Sequence, residues 1–121
     1  MNWTVALIVA AIAAVILVLK RVGQISRKQA LAYLKSGALV VDVRSSAEFN
    51  SGHLPNAINL PVDELETALP RRVKDKKQVL LLHCQSGMRS SMAKKRLEGL
   101  GYSNVFNLGS YGRAAQLVSG K

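Results

Sequence analysis

No charged side chain occurs in the first 19 residues, and cysteine occurs only once. A single cysteine excludes an intrachain disulfide framework. With only His53 and His83 to join it, no paired ligand spacing exists for zinc, and no metal is expected. Acids are scarce, 7 against 17 Lys and Arg, for a net charge of +10. Aromatics are scarce too: one Trp, three Tyr and two Phe. Because none interleave with the basic residues, a strand-stacking surface for nucleic acid is not expected. A basic surface beside an anionic leaflet accounts for the charge instead. There are no repeats and no low-complexity segments.

The uncharged start is an apolar run, Trp3 to Leu19, interrupted only by Thr4 and closed by Lys20-Arg21. At ~1.5 Å per residue it covers about 25 Å, near the short limit for a membrane span. Snorkelling of Lys20 and Arg21 extends it, and Trp3 suits an interfacial anchor. The competing reading is a cleaved signal peptide, which would leave the domain periplasmic. Against it, no Lys or Arg precedes the run and no small-residue cleavage site ends it. The expectation is therefore a single-pass anchor over residues 1–21 in the inner (plasma) membrane. The positive-inside rule then places the soluble domain, residues 22–121, in the cytoplasm.

About a hundred residues remain for that domain, enough for one core. Ser26 and Gln29 form a capping box ahead of a helix with Ala30, Leu31 and Leu34 on one face, ended by Gly37. Ala38 to Val43 is a continuous apolar run broken by Asp42, the pattern of a central parallel strand. Arg44 to Pro61 is loop-rich with a short strand near Ala57–Leu60. Val62 to Leu69 is helical and Pro70 stops it. Val79–Leu82 is a buried strand. A helix runs from Ser90 to about Leu100, Asn104–Leu108 is a further strand, and a glycine-broken tail follows. Strands alternating with helices give an α/β fold with a small, mostly parallel sheet.

Ligands in such folds sit beyond the carboxyl ends of strands, where Asp42 and Cys84 both lie. Cys84 opens a tight loop between a strand and a basic helix. Backbone N–H groups in such a loop point inward and favour negative charge. A thiol there ionises readily, and the thiolate is the nucleophilic form. Arg89 adds a fixed positive charge with planar donors. A buried structural thiol is the alternative, and the neighbouring Gly87 and Arg89 argue against it. Gly87 supplies a positive φ or a close backbone approach. Adjacent strand residues face opposite ways, so His83 is read as structural.

From about Ser26 to Leu108 the chain resembles the single-domain rhodaneses. One motif is Asp42-Val43-Arg44-Ser45, Glu48-Phe49, Gly52-His53-Leu54-Pro55, Ala57 and Asn59-Leu60-Pro61; the other is Cys84-Gln85-Ser86-Gly87-Met88-Arg89-Ser90. Tyrosine and dual-specificity phosphatases share a Cys…Arg loop, but with five residues between. Here four intervene, making a pocket that in the resembled family fits sulfur rather than a phosphoryl group. Many family members end in Gly-Gly and a Trp near the site. This chain has Leu108-Gly109-Ser110-Tyr111-Gly112-Arg113-Ala114 and no Trp there, so no catalytic role is assigned after Leu108.

The resemblance implies a two-step sulfur transfer. The Cys84 thiolate takes the outer sulfur of an anionic donor such as thiosulfate, or of a persulfide. The loop residues Gln85, Ser86, Gly87, Met88 and Arg89 bind the substrate, and a thiol, a protein cysteine or cyanide accepts the sulfur. No cofactor is needed. Arg89 either contacts the anion or braces the loop; Ser86 donates either to the persulfide or to the loop. Asp42, Arg44, Glu48 and His53 are scaffold near the site, with Arg44 expected to pair with Glu48. The alternative is a non-catalytic, membrane-tethered binding module, against which Cys84 in an intact loop counts. A thiol-redox or arsenate-type reaction lacks the second cysteine it would use.

Overall fold

The computed structural model describes residues 2–119, and the side chains of these apart from residues 19–22. Four strands form one sheet: β1 (Leu39–Asp42), β2 (Ile58–Asn59), β3 (Leu80–His83) and β4 (Val105–Gly109). Their spatial order is β2-β1-β3-β4, and every pairing between them is parallel. Parallel neighbours need crossovers, which the helices supply. Those helices are α1 (Trp3–Val22), α2 (Arg27–Lys35), α3 (Ser46–Ser51), α4 (Leu65–Arg72), α5 (Met88–Gly99) and α6 (Tyr111–Val118).

The central strands β1 and β3 are continuous apolar runs because both sheet faces are covered. Strand alternation sorts them. Val41, Leu80 and Leu82 point to one core, closed by Leu65 and Leu69 of α4 and Ala93 and Leu97 of α5. Val40 and Leu81 point to the other, closed by Ala30 of α2 and Ala114 and Leu117 of α6. Each fully buried leucine contributes about 1.5–3 kcal/mol. Tyr102 anchors the first core from below, its hydroxyl donating to the Val73 carbonyl at 2.6 Å.

Several elements depart from the sequence reading. α3 lies in the stretch expected to be loop; Ser45 and Glu48 cap it reciprocally, which fixes this short helix. α4 contains Pro70 rather than ending before it, and runs to Arg72. α5 begins at Met88 rather than Ser90, because Gly87 at φ +96° turns the chain straight from loop into helix. α6 replaces the expected tail, capped by Ser110, whose side chain accepts the Arg113 N–H.

The spanning anchor expected over residues 3–19 is not supported. Among the described residues no helix is long and apolar enough to cross a membrane. The apolar run closes before Lys20-Arg21, short of the roughly 20 residues a span requires. The Lys20 and Arg21 side chains, on which the snorkelling expectation falls, lie outside the described residues. α1 does present apolar surface outward, with Trp3 79% and Leu7 60% exposed.

Candidate active site

β3 and β1 run side by side with Asp42 opposite His83, so both carboxyl ends finish at one edge of the sheet. The step from His83 to Cys84 changes faces. His83 meets the edge of the Tyr111 ring on one side, while Cys84 joins the first core on the other. Tyr111 belongs to the packing around the second core. The expectation of a structural His83 agrees with this placement.

Cys84 is fully buried, and its backbone N–H donates to the Gly109 carbonyl at 3.3 Å. The N–H of Gly87 donates to Sγ at 3.0 Å. This places the first N–H groups of α5, the positive end of its dipole, against the sulfur. Ser90 Oγ lies 3.6 Å from Sγ, 3.1 Å from the Gly87 carbonyl and 2.7 Å from Asn107 Oδ1. A hydroxyl has one hydrogen. With a neutral thiol it goes to Asn107, the shortest of the three. A thiolate draws it to sulfur, and Asn107 Oδ1 is not orphaned, because it also accepts the Gly109 N–H at 2.9 Å. Burial pushes the Cys84 thiol up. The Ser90 hydroxyl and the N–H groups of Ser90, Gly87 and Ser86 outweigh burial, and the thiol ends below its ordinary range.

Asn107 fastens the loop to β4, its Nδ2 donating to the Gly87 carbonyl at 3.2 Å. The sequence reading gave neither Ser90 nor Asn107 a role; a polar residue inside the apolar β4 run was the available signal. The residues after Leu108 also carry the loop. The Tyr111 N–H donates to the Gln85 carbonyl, and Ser86 bridges to Ser110. Gln85, Ser86 and Met88 are exposed around the buried sulfur, and Gly87 is buried.

Arg44 differs from expectation. Arg44 was expected to pair with Glu48 and instead forks onto Asp42, with Nη2 to Oδ2 at 2.8 Å and Nε to Oδ1 at 3.0 Å. It also donates to the Gly52 carbonyl at 2.7 Å and reaches Gln85 Oε1 at 3.4 Å. Spacing decides this: Asp42 ends a strand two residues back, while Glu48 is turned away by its capping of α3. Glu48 takes Arg89, with Nη1 to Oε1 at 2.7 Å and Nη2 to Oε2 at 3.0 Å. Arg89 first, then the Ser45 N–H, hold the Glu48 carboxyl down to about 2. Of the two roles left open for Arg89, bracing is the one with contacts. His53 stacks on Phe49 and bonds its carbonyl at 3.0 Å, a scaffold position. Among the described residues no three His, Cys, Asp or Glu gather to hold a metal.

His83 Nε2 is buried without a hydrogen-bond partner, 3.7 Å from Asp42 Oδ2. Burial lowers its pKa against the opposing pull of Asp42. A depressed basic group means that the unfolded chain binds more protons, so stability rises with pH. Stability should be intact above the ordinary histidine value, near 6.5, and fall as pH drops below it. Urea denaturation at pH 7.5 and 5.5 checks this. His83→Asn should flatten that part of the profile.

The sequence and the fold have known counterparts. The model of the rhodanese-like domain matches residues 26–112. The thiosulfate sulfurtransferase PspE of Escherichia coli is 33% identical over 69 residues, 57% of this chain and 66% of that protein. A tRNA uridine(34) hydroxylase of Hamiltonella defensa is 36% identical over 75 residues, 59% of this chain. This chain therefore spans just under two thirds of the first relative and about a fifth (21%) of the second. Among solved structures, the human single-domain sulfurtransferase TSTD1 superposes with a TM-score of 0.66 at 30% identity, covering 78% of this chain and 96% of that one. A rhodanese with anions from E. coli gives 0.61 at 30% identity, covering 64% and 91%. The chain belongs to the rhodanese-like family, as a single domain with sulfurtransferase relatives.

Proposed function

We propose that the chain is a rhodanese-type sulfurtransferase. The Cys84 thiolate takes a sulfane sulfur from thiosulfate or a persulfide donor. The resulting Cys84 persulfide passes that sulfur to a thiol, a protein cysteine or cyanide. The carrying observation is the Gly87 N–H held 3.0 Å from Sγ, with the Ser90 hydroxyl behind it. These donors are aimed at charge on sulfur before any substrate arrives. The thiolate attacks the donor's outer sulfur, the donor's S–S bond breaks, and sulfite or a thiolate leaves. With no second cysteine in the chain, an external acceptor completes the cycle. No metal or organic cofactor enters the steps.

The outward apolar surface of α1 supports attachment of the domain to a membrane, and the basic domain suits an anionic cytoplasmic leaflet. On this reading the sulfur site works at the inner face of the plasma membrane.

A second reading, a non-catalytic binding module, has one observation in its favour: Cys84 has no exposed surface. Intact mass of the full chain separates the two. Incubation with thiosulfate or a persulfide donor should add one sulfur, about 32 Da, at Cys84, and cyanide should remove it. No adduct from either donor would leave the binding module.

A further inference from the structure

Among the described side chains, the three arginines near the carboxyl ends of β1, β3 and β4 are each already committed. Arg89 gives both terminal nitrogens to both oxygens of Glu48. Arg44 is forked onto Asp42 and donates to the Gly52 carbonyl. Arg113 donates to the carbonyls of Leu108 and Ile25. A bidentate Arg–carboxylate pair is among the stronger charge-assisted contacts. A dianion approaching the sulfur must either displace Glu48 from Arg89, leaving that carboxylate unpaired, or bind with no arginine partner among the described side chains. The chain's distributed positive charge does not replace a local partner, because exposed charges are screened beyond about 8–10 Å.

The residue between the loop and Arg89 is apolar. Met88 is 72% exposed, and Met92, one helical turn on, is 52% exposed. Residues four apart on a helix share a face. Two flexible thioethers there fit an organic group far better than a sulfonate. Behind Met88 lies a cavity of about 290 Å³, bounded by Ile16, Gln24, Ser86 and Gly87 among others. Its lining beside the Cys84 loop is mainly apolar, which suits an organic group.

From these contacts we infer that Glu48 and Met88 set donor choice, favouring an organic hydropersulfide, with at most one negative charge, over thiosulfate. This rests on the sulfur-transfer reading and narrows it to one donor class. The step balances without an oxidant. The Cys84 thiolate attacks the outer sulfur of R–S–SH and a new S–S bond forms. The donor's S–S bond breaks, and its electron pair leaves on R–S⁻, which takes a proton from water.

The test is the rate of Cys84 persulfidation in the full chain, followed by intact mass, with thiosulfate and with ethyl hydropersulfide. Each rate is divided by that of free cysteine with the same donor, which removes the donors' intrinsic reactivity. The normalised hydropersulfide rate should exceed the thiosulfate rate at least tenfold. Glu48→Gln keeps an oxygen for the Ser45 N–H and removes the negative charge opposite Arg89, so it should narrow that ratio at least tenfold by a gain with thiosulfate. Met88→Lys, at an exposed site, adds a cation with no acid partner and should narrow it in the same direction. Equal normalised rates in the parent chain, or an unchanged ratio in both variants, would overturn the donor assignment alone. Failure of both donors to load Cys84 would overturn the sulfur-transfer reading and the assignment with it.

Discussion

Replacing Cys84 by Ser should abolish persulfide formation and leave the fold standing. Serine is the smallest polar change available, and the site already holds partners for its oxygen: the Gly87 N–H and the Ser90 hydroxyl both face that atom. Buried polar groups with partners are tolerated, so the stability change should stay within about 1.5 kcal/mol. The chemistry has no such tolerance. An alkoxide is out of reach at neutral pH, and among the described residues no base contacts that atom; His83 faces the other side of the sheet. The rate should fall at least ~10³-fold, the scale on which removal of a nucleophile acts. Sulfur loading from either donor, measured beside thermal unfolding, checks both halves. Loading above about one per cent of the parent rate, at full folding, would remove Cys84 from the mechanism.

What could be seen in the sequence followed from how local each feature is. β1 and β3 were plain, because burial on both faces leaves an unbroken apolar run. The loop from Cys84 to Arg89 was plain for the same reason: it hangs directly on β3. α3 and α6 were not. α3 has six residues, too few to show a 3.6-residue period, though Ser45 and Glu48 stood at capping-box spacing. α6 carries Gly112, and its apolar face becomes meaningful only when Ala114 and Leu117 meet the second core.

The pairings at the site were hidden by distance along the chain. Glu48 and Arg89 are 41 residues apart, and Ser90 and Asn107 are 17 apart. No local rule selects Glu48 as the partner of Arg89. The sheet decides it, by setting α3 next to the first turn of α5. The same geometry turns Arg89 from a candidate anion receptor into a brace between two helices.

Gly87→Ala should disable the site through the backbone. Gly87 has φ +96°, and an added Cβ would lie 3.3 Å from both Cα and C of Gly109. A left-handed conformation costs an L-residue roughly 1–2 kcal/mol. The crowded atoms are backbone and cannot rotate away. Gly109 cannot retreat freely either, since its carbonyl accepts the Cys84 N–H and its N–H donates to Asn107. The loop must therefore yield, and the contact it gives up is the Gly87 N–H on Sγ. Stability should drop by about 1–3 kcal/mol. Persulfide loading should drop about 10²-fold, the usual effect of losing one preorganised donor. The discriminating measurement is thiol alkylation against pH. The parent Cys84 ionises below its ordinary range because donors outweigh burial; without the Gly87 donor, burial gains and the midpoint moves up. Slower loading with an unmoved alkylation midpoint would show that Gly87 shapes the loop without holding the thiolate.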